Sequence, residues 1–121
     1  MAEHHITGKK GEAIALEYLR KEGFDVIATN WRKGHLEIDI IAKEGNMLVI
    51  VEVKSRHSDR WGEPEMAVDK KKQRFLAQAA NEYIYQTGYM GDTRFDVIGI
   101  LFMPHEHRLA HIRDAFFPGL F

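Results

Sequence analysis

Apolar side chains recur along this sequence in two periods, one helical and one of two residues, and together they predict seven elements. Ala15, Leu16 and Leu19, with Tyr18 beside them, share one stripe of a helix expected from Gly8 to about Glu22, while Glu17, Arg20 and Lys21 point elsewhere. Thr7 stands where a cap would be and Gly23 where the helix should stop. Phe24 to Asn30 (FDVIATN) predicts a strand. His35 to Lys43 and Met47 to Ser55 contain the β-branched runs LEIDIIA and MLVIVEV on either side of Glu44-Gly45-Asn46. A two-residue Gly-Asn loop suits a tight hairpin, because Gly accepts the positive φ that such turns need. Ser55 to Pro64 is polar and reads as a loop. A second helix is expected to begin between Pro64 and Asp69 and to run to about Gln86, ahead of Gly88. Its stripe is Val68, Phe75, Leu76, Ala79, Ala80 and Tyr83. Arg94 to Phe102 predicts another strand and Leu109 to Arg113 a short last one. The order α-β-β-β-α-β-β describes an α/β fold, a mixed sheet with helices on its faces. Near their turn both hairpin strands are apolar at nearly every residue, as a sheet covered on both sides requires.

Composition narrows the class. The 121 residues suit one domain, 1–121, large enough to bury a core without staples, and no linker or repeat divides them. There is no cysteine, which excludes disulfides, thiolate zinc sites and cysteine nucleophiles and agrees with a reducing, cytoplasmic setting. The formal net charge of -1 excludes a globally basic coat, so any polyanion site must be a local patch. The longest strongly apolar run, Met47 to Val51, is too short for a bilayer, and MAEHHITGKK gives no reason to expect a signal peptide.

With a literal Gly45-Asn46 turn, cross-strand partners have numbers summing to 91. Asp39 then faces Glu52 and Glu37 faces Lys54, all four on one face at the end away from the turn, with Ile38, Ile40, Val51 and Val53 on the other. Opposed carboxylates destabilise a sheet unless a shared proton, a neighbouring cation or a metal ion compensates. An oxygen-rich pocket of this kind suits Mg²⁺ or Mn²⁺. A metal held by Asp39 and Glu52 would polarise a phosphodiester and acidify a bound water, and Lys54 could orient that water or offset developing charge. Glu-x-Lys on an exposed strand is usually an ordinary charge pair. Here it interrupts runs that read as buried on both faces, where carboxylates are rare unless paired or metal-bound. Glu12 lies on the stripe of Ala15, Leu16 and Leu19, so it faces the sheet as a third acid, although an acid in a first turn also simply favours the helix dipole.

GKKGEAIALEYLRKEGFDVIATNWR (8–32), EIDIIA (37–42), VIVEVKSR (49–56), WGEPEMAVDKKKQR (61–74) and RFDVIGI (94–100) together resemble the YraN-like family of small bacterial proteins. That family lies within the PD-(D/E)XK, or restriction-endonuclease-like, nuclease superfamily. The resemblance implies a restriction-endonuclease-like fold, with Asp39 and Glu52 as metal-binding acids and Lys54 as the catalytic lysine. It implies that Glu12 is the helix-borne acid of Holliday-junction-resolvase-like members and that Gln73 is a supporting polar residue, although Gln73 also fits a place on the surface beside the apolar stripe. His35-Leu36 precede Glu37 where the family usually has Gly. Resolvase-like relatives commonly pair, so a homodimer is also implied.

Basic residues cluster locally: Arg32 and Lys33 before the second strand, Arg56, His57 and Arg60 in the following loop, and Lys70, Lys71, Lys72 and Arg74 at the second helix. They could line a phosphate track or form solvated faces. Trp31 and Trp61 could stack on bases or fill core gaps. Arg94 and Asp96 read as orienting a strand end. His105, His107 and His111 read as surface residues, and His4 and His5 carry no assignment. The expected activity is Mg²⁺- or Mn²⁺-dependent phosphodiester hydrolysis in nucleic acid, with DNA of branched or unusual structure as the expected type. The alternatives are a catalytically silent nucleic-acid-binding module, a partner-dependent accessory protein of the same fold, and a protein-interaction scaffold.

Overall fold

The hairpin around Gly45-Asn46 is the middle of the sheet, because its strands have apolar side chains to offer to both faces. The computed structural model describes the backbone of residues 2–57 and 66–117 and the side chains of 8–57 and 66–117. Arg60, Trp61 and the approach to the second helix at Pro64 lie outside the described residues. The elements are α1 (Ala2–Lys21), β1 (Asp25–Lys33), β2 (Leu36–Glu44), β3 (Met47–His57), α2 (Lys70–Thr87), β4 (Thr93–Phe102) and β5 (His107–Ile112). The five strands form one mixed sheet in the order β1-β2-β3-β4-β5. The β3–β4 pair is parallel, with α2 as the crossover, and the other pairs are antiparallel. The element order is the expected one.

Two apolar clusters pin the helices to opposite faces. Ala15, Leu19 and Phe24 meet Ile40, Val49, Val51, Ile98 and Ile100 beneath α1. Leu76, Ala79 and Ala80 meet Ile38, Ile41, Leu48, Ile50 and Phe95 beneath α2. Each fully buried aliphatic side chain contributes roughly 1.5–3 kcal/mol. The end of α1 is as expected: Gly23, at φ 91°, reverses the chain. Its N–H donates to Arg20 O (3.1 Å) and that of Phe24 to Leu19 O (2.9 Å), which seats Phe24 in the same cluster as Leu19. The start is not. α1 begins at Ala2, so Thr7 is inside the helix rather than its cap. No proline precedes Gly8, and the interior Gly8 and Gly11 cost only about 1 kcal/mol each, too little to stop the helix. α2 is capped by Asp69, which accepts from Lys72 N (2.7 Å), and ends at Gly88 (φ 71°).

The hairpin register is the expected one, running from Glu44↔Met47 to Ile40↔Val51. The expected facing of Ile38 is corrected. Ile40 packs under α1, but Ile38, two residues away, packs under α2. β1 changes face at the same level, since Ala28 and Trp31, three residues apart, both reach the α2 cluster. The cause on β1 is Asn30, whose left-handed backbone (φ 50°) breaks the alternation between Thr29↔Ile40 and Trp31↔Ile38. Trp31 is accordingly committed to the core, edge-on to Tyr83, rather than free to stack on bases.

Near the turn end of the sheet a polar network ties three strands to α1. The Asp96 carboxylate is fully buried. It accepts from Arg94 Nε (2.8 Å) and a second Arg94 nitrogen (2.9 Å), from His111 Nε2 (2.8 Å) and from the Asp114 N–H (3.0 Å). Tyr18 Oη lies 2.9 Å from His111 Nδ1, and Arg94 and Arg113 both bond Glu44. Arg94 and Asp96 thus do orient the strand, as expected. His105 and His107 are exposed, but His111 is a core residue with a side chain 4% exposed, which corrects its surface reading. A turn with several histidines gave no local signal of this, because the groups that hold His111 come from β4 and α1.

Candidate active site

Past Ile40↔Val51 the hydrogen-bonded ladder between β2 and β3 ends, while both strands continue. Asp39 and Glu52 are the first residues beyond it, and their carboxyl groups lie close enough for Asp39 to act directly on the ionisation of Glu52. Asp39 Oδ2 accepts from the Val53 N–H at 2.8 Å, filling a donor that the parted ladder leaves open. Glu52 meets α2, where Lys72 Nζ lies 3.6 Å from Glu52 Oε2. Lys54 Nζ donates to the Ala67 carbonyl just ahead of α2. The expected Glu37–Lys54 facing is corrected: Glu37 pairs with Arg32 at 3.4 Å, because β2 has already turned away from β3. Lys72, expected on a phosphate track or a solvated face, stands as the cation beside the carboxylate pair.

Glu12 reaches the site from α1. Its Oε1 accepts from Asn30 Nδ2 at 2.8 Å. Burial and then the charge of Asp39 raise its pKa, whereas the Asn30 bond lowers it. Gly11 makes this approach feasible, since a side-chain carbon there would stand 1.8 Å from Ser55 Oγ. Gln73 donates to the Val68 carbonyl (2.8 Å), a bond that holds the entry to α2.

The electrostatics of the acid pair follow from its burial. Glu52 keeps a side-chain exposure of 13%, and burial first, then the charge and hydrogen bond of Asp39, push its carboxyl up to about 8 against the weaker pull of Lys72. The fold therefore favours protonated Glu52. That stabilisation is complete below pH 4.5 and is lost as pH rises through about 8. Glu52→Gln, which cannot ionise, should remove the alkaline loss. In chelator-treated buffer the wild type should lose of order 3 kcal/mol of stability between pH 5 and 9 that the variant keeps. Parallel melting profiles of the two proteins would contradict this.

All-oxygen donors, one pair nearly buried and short of positive charge, fit a hard divalent cation such as Mg²⁺ or Mn²⁺. The fit is to two carboxylates. Among the described residues no group of three His, Cys, Asp or Glu side chains forms a preset cage, and Glu12 stands beside the pair, close enough to feel the charge of Asp39. Of the other expected residues, Arg32 and Lys33 are exposed at the end of β1, with Lys33 bonded to Glu82 at 2.6 Å. Arg56 is exposed near the end of β3, and Lys70, Lys71 and Arg74 are exposed in the first turns of α2, beside Lys72. Asn30 and the contact of Lys72 with Glu52 were missed by sequence reasoning. Asn at the end of a β-branched run was the available signal for the first, and nothing local marked the second.

Residues 11–100 match the family described as uncharacterised protein family UPF0102. The chain is 43% identical over 121 residues to a UPF0102 protein of Bacteroides thetaiotaomicron, covering all of both proteins. It is 42% identical over 117 residues to a UPF0102 protein of Flavobacterium psychrophilum, covering 97% of this chain and 98% of that protein. Among solved structures the fold is similar to that of Archaeoglobus fulgidus Hjc, a Holliday junction resolvase from an archaeal hyperthermophile. The TM-score is 0.52 at 18% identity, covering 88% of this chain and 76% of that one. No helix among the described residues is long and apolar enough to cross a membrane.

Proposed function

The chain belongs to the UPF0102 family and has a resolvase-like, restriction-endonuclease-like fold, and from that premise we propose that it is a Mg²⁺- or Mn²⁺-dependent nuclease acting on branched DNA. The observation that carries this reading is the contact of Asp39 with Glu52 where β2 and β3 part, with Lys72 at its edge. Two ionised carboxylates cannot share that space without a cation, and the charge of Lys72 offsets only part of it. Asp39 and Glu52 would hold the metal, which when bound supplies Lewis acidity and a more acidic water. Asp39 is kept in place by the Val53 N–H, so its orientation does not depend on the cation. Lys54, on the strand that carries Glu52 and anchored at Ala67, is placed to orient the attacking water or to offset charge on the phosphate once substrate displaces that carbonyl. The exposed Lys70, Lys71 and Arg74 of α2 and Arg32 and Lys33 of β1 supply the cationic groups for backbone phosphates. The same reading expects a cytoplasmic protein whose copies act in pairs on one junction.

The test is incubation of the purified protein with a four-way DNA junction, a linear duplex of the same sequence and a single-stranded RNA, each with Mg²⁺, Mn²⁺ or chelator. Metal-dependent scission of the junction in preference to the duplex is expected. A second reading, a nucleic-acid-binding module without activity, is favoured by the lack of a three-group metal cluster among the described residues and by the net charge of -1. It predicts salt-sensitive junction binding, no metal uptake in calorimetry and no scission.

A further inference from the structure

Asn30 combines two features that no other described residue shares. Its backbone is left-handed, at φ 50°, within a strand. Only Gly adopts that region freely, with Asn among the few side chains that tolerate it. The break it makes falls opposite Asp39, between Thr29↔Ile40 and Trp31↔Ile38, at the level where both strands change face. Its side-chain amide then reaches across to α1 and donates to Glu12 Oε1 at 2.8 Å. Glycine would satisfy the backbone there, but it has no amide. Aspartate would tolerate the backbone, but it would set a further negative charge against Glu12. Glu12 in turn lies close enough to Asp39 for their charges to interact.

We propose that Asn30 is a positioning residue of the acid site: its left-handed backbone interrupts the side-chain alternation of β1 beside Asp39, and its amide fixes the Glu12 carboxylate at the edge of the Asp39–Glu52 pair. The inference rests on the metal-site reading given above. A group hydrogen-bonded to a metal-ligating side chain typically carries an effect of 10–100-fold on affinity without touching the ion, and Asn30, acting through Glu12 on Asp39, is expected at the low end of that range.

The experiment measures Mn²⁺ affinity by calorimetry, with melting temperature recorded in chelator, for the wild type, Asn30→Gly, Glu12→Ala and the double variant. Asn30→Gly keeps the backbone and removes the amide, so it should melt close to the wild type yet bind Mn²⁺ about tenfold more weakly. Because the amide acts through Glu12, the double variant should bind Mn²⁺ no more weakly than Glu12→Ala alone. Asn30→Ala should instead lower the melting temperature, since alanine does not tolerate φ 50°. Unchanged Mn²⁺ affinity in Asn30→Gly, or the same further loss in the Glu12→Ala background, would overturn the assignment while leaving the metal reading intact. A wild type that takes up no Mn²⁺ would remove the metal reading and the role of Asn30 with it.

Discussion

Asp39→Asn should abolish metal-dependent scission, by about a thousandfold or more, while leaving the protein folded. The amide oxygen can still accept from the Val53 N–H, so the 2.8 Å bond that orients residue 39 survives. What disappears is one of two negative charges in a site where Glu52 is 13% exposed. The melting temperature in chelator should therefore rise slightly, because residue 39 no longer repels the ionised form of Glu52. Junction binding without metal should be preserved, since the phosphate contacts come from exposed cations on α2 and β1. The measurements are single-turnover scission, Mn²⁺ calorimetry and thermal melting on one preparation. Scission by Asp39→Asn at the wild-type rate would rule out the acid pair as the reacting centre.

Asp96→Ala should have the largest effect on stability, a loss of about 3–5 kcal/mol. The carboxylate satisfies Arg94, His111 and the Asp114 N–H at once, and its removal leaves Arg94, 15% exposed, with Glu44 alone and His111, 4% exposed, with Tyr18 alone. For a domain of this size that corresponds to roughly 10–20 °C in melting temperature. The pH dependence is also defined. Burial opposes ionisation of Asp96 most strongly, but the bonds from His111, Arg94 and Asp114 together outweigh it and hold the carboxyl at about 2. Its stabilisation is therefore present above the ordinary value of 3.8 and is lost as pH falls through about 2. Wild type and Asp96→Asn should differ at pH 7 and converge towards pH 2. A constant difference across that range would show that the ionised carboxylate is not the stabilising group.

The acid pair was legible from the sequence, because a two-residue turn sets the register of both its strands. Glu44↔Met47 to Ile40↔Val51 follow the sum of 91. One step further the same arithmetic fails. Asp39 and Glu52 still meet, but Glu37 turns to Arg32 and Lys54 to Ala67, because the alternation rule assumes a ladder that has already ended. Glu12 was found through its place on the apolar stripe. The groups around the pair were not, since Lys72 comes from an element distant in sequence, and both it and Asn30, on the neighbouring strand, look like an ordinary solvated cation and strand residue.

Periodicity and turn chemistry thus determine the seven elements, the order α-β-β-β-α-β-β and the two carboxylates, since each depends on neighbours within a few residues along the chain. The break at Asn30, the burial of His111 against Asp96, and the approach of Lys72 to Glu52 are decided only when the helices close over the sheet. Each depends on a partner from another element, and no local pattern encodes the distance between elements that fold separately.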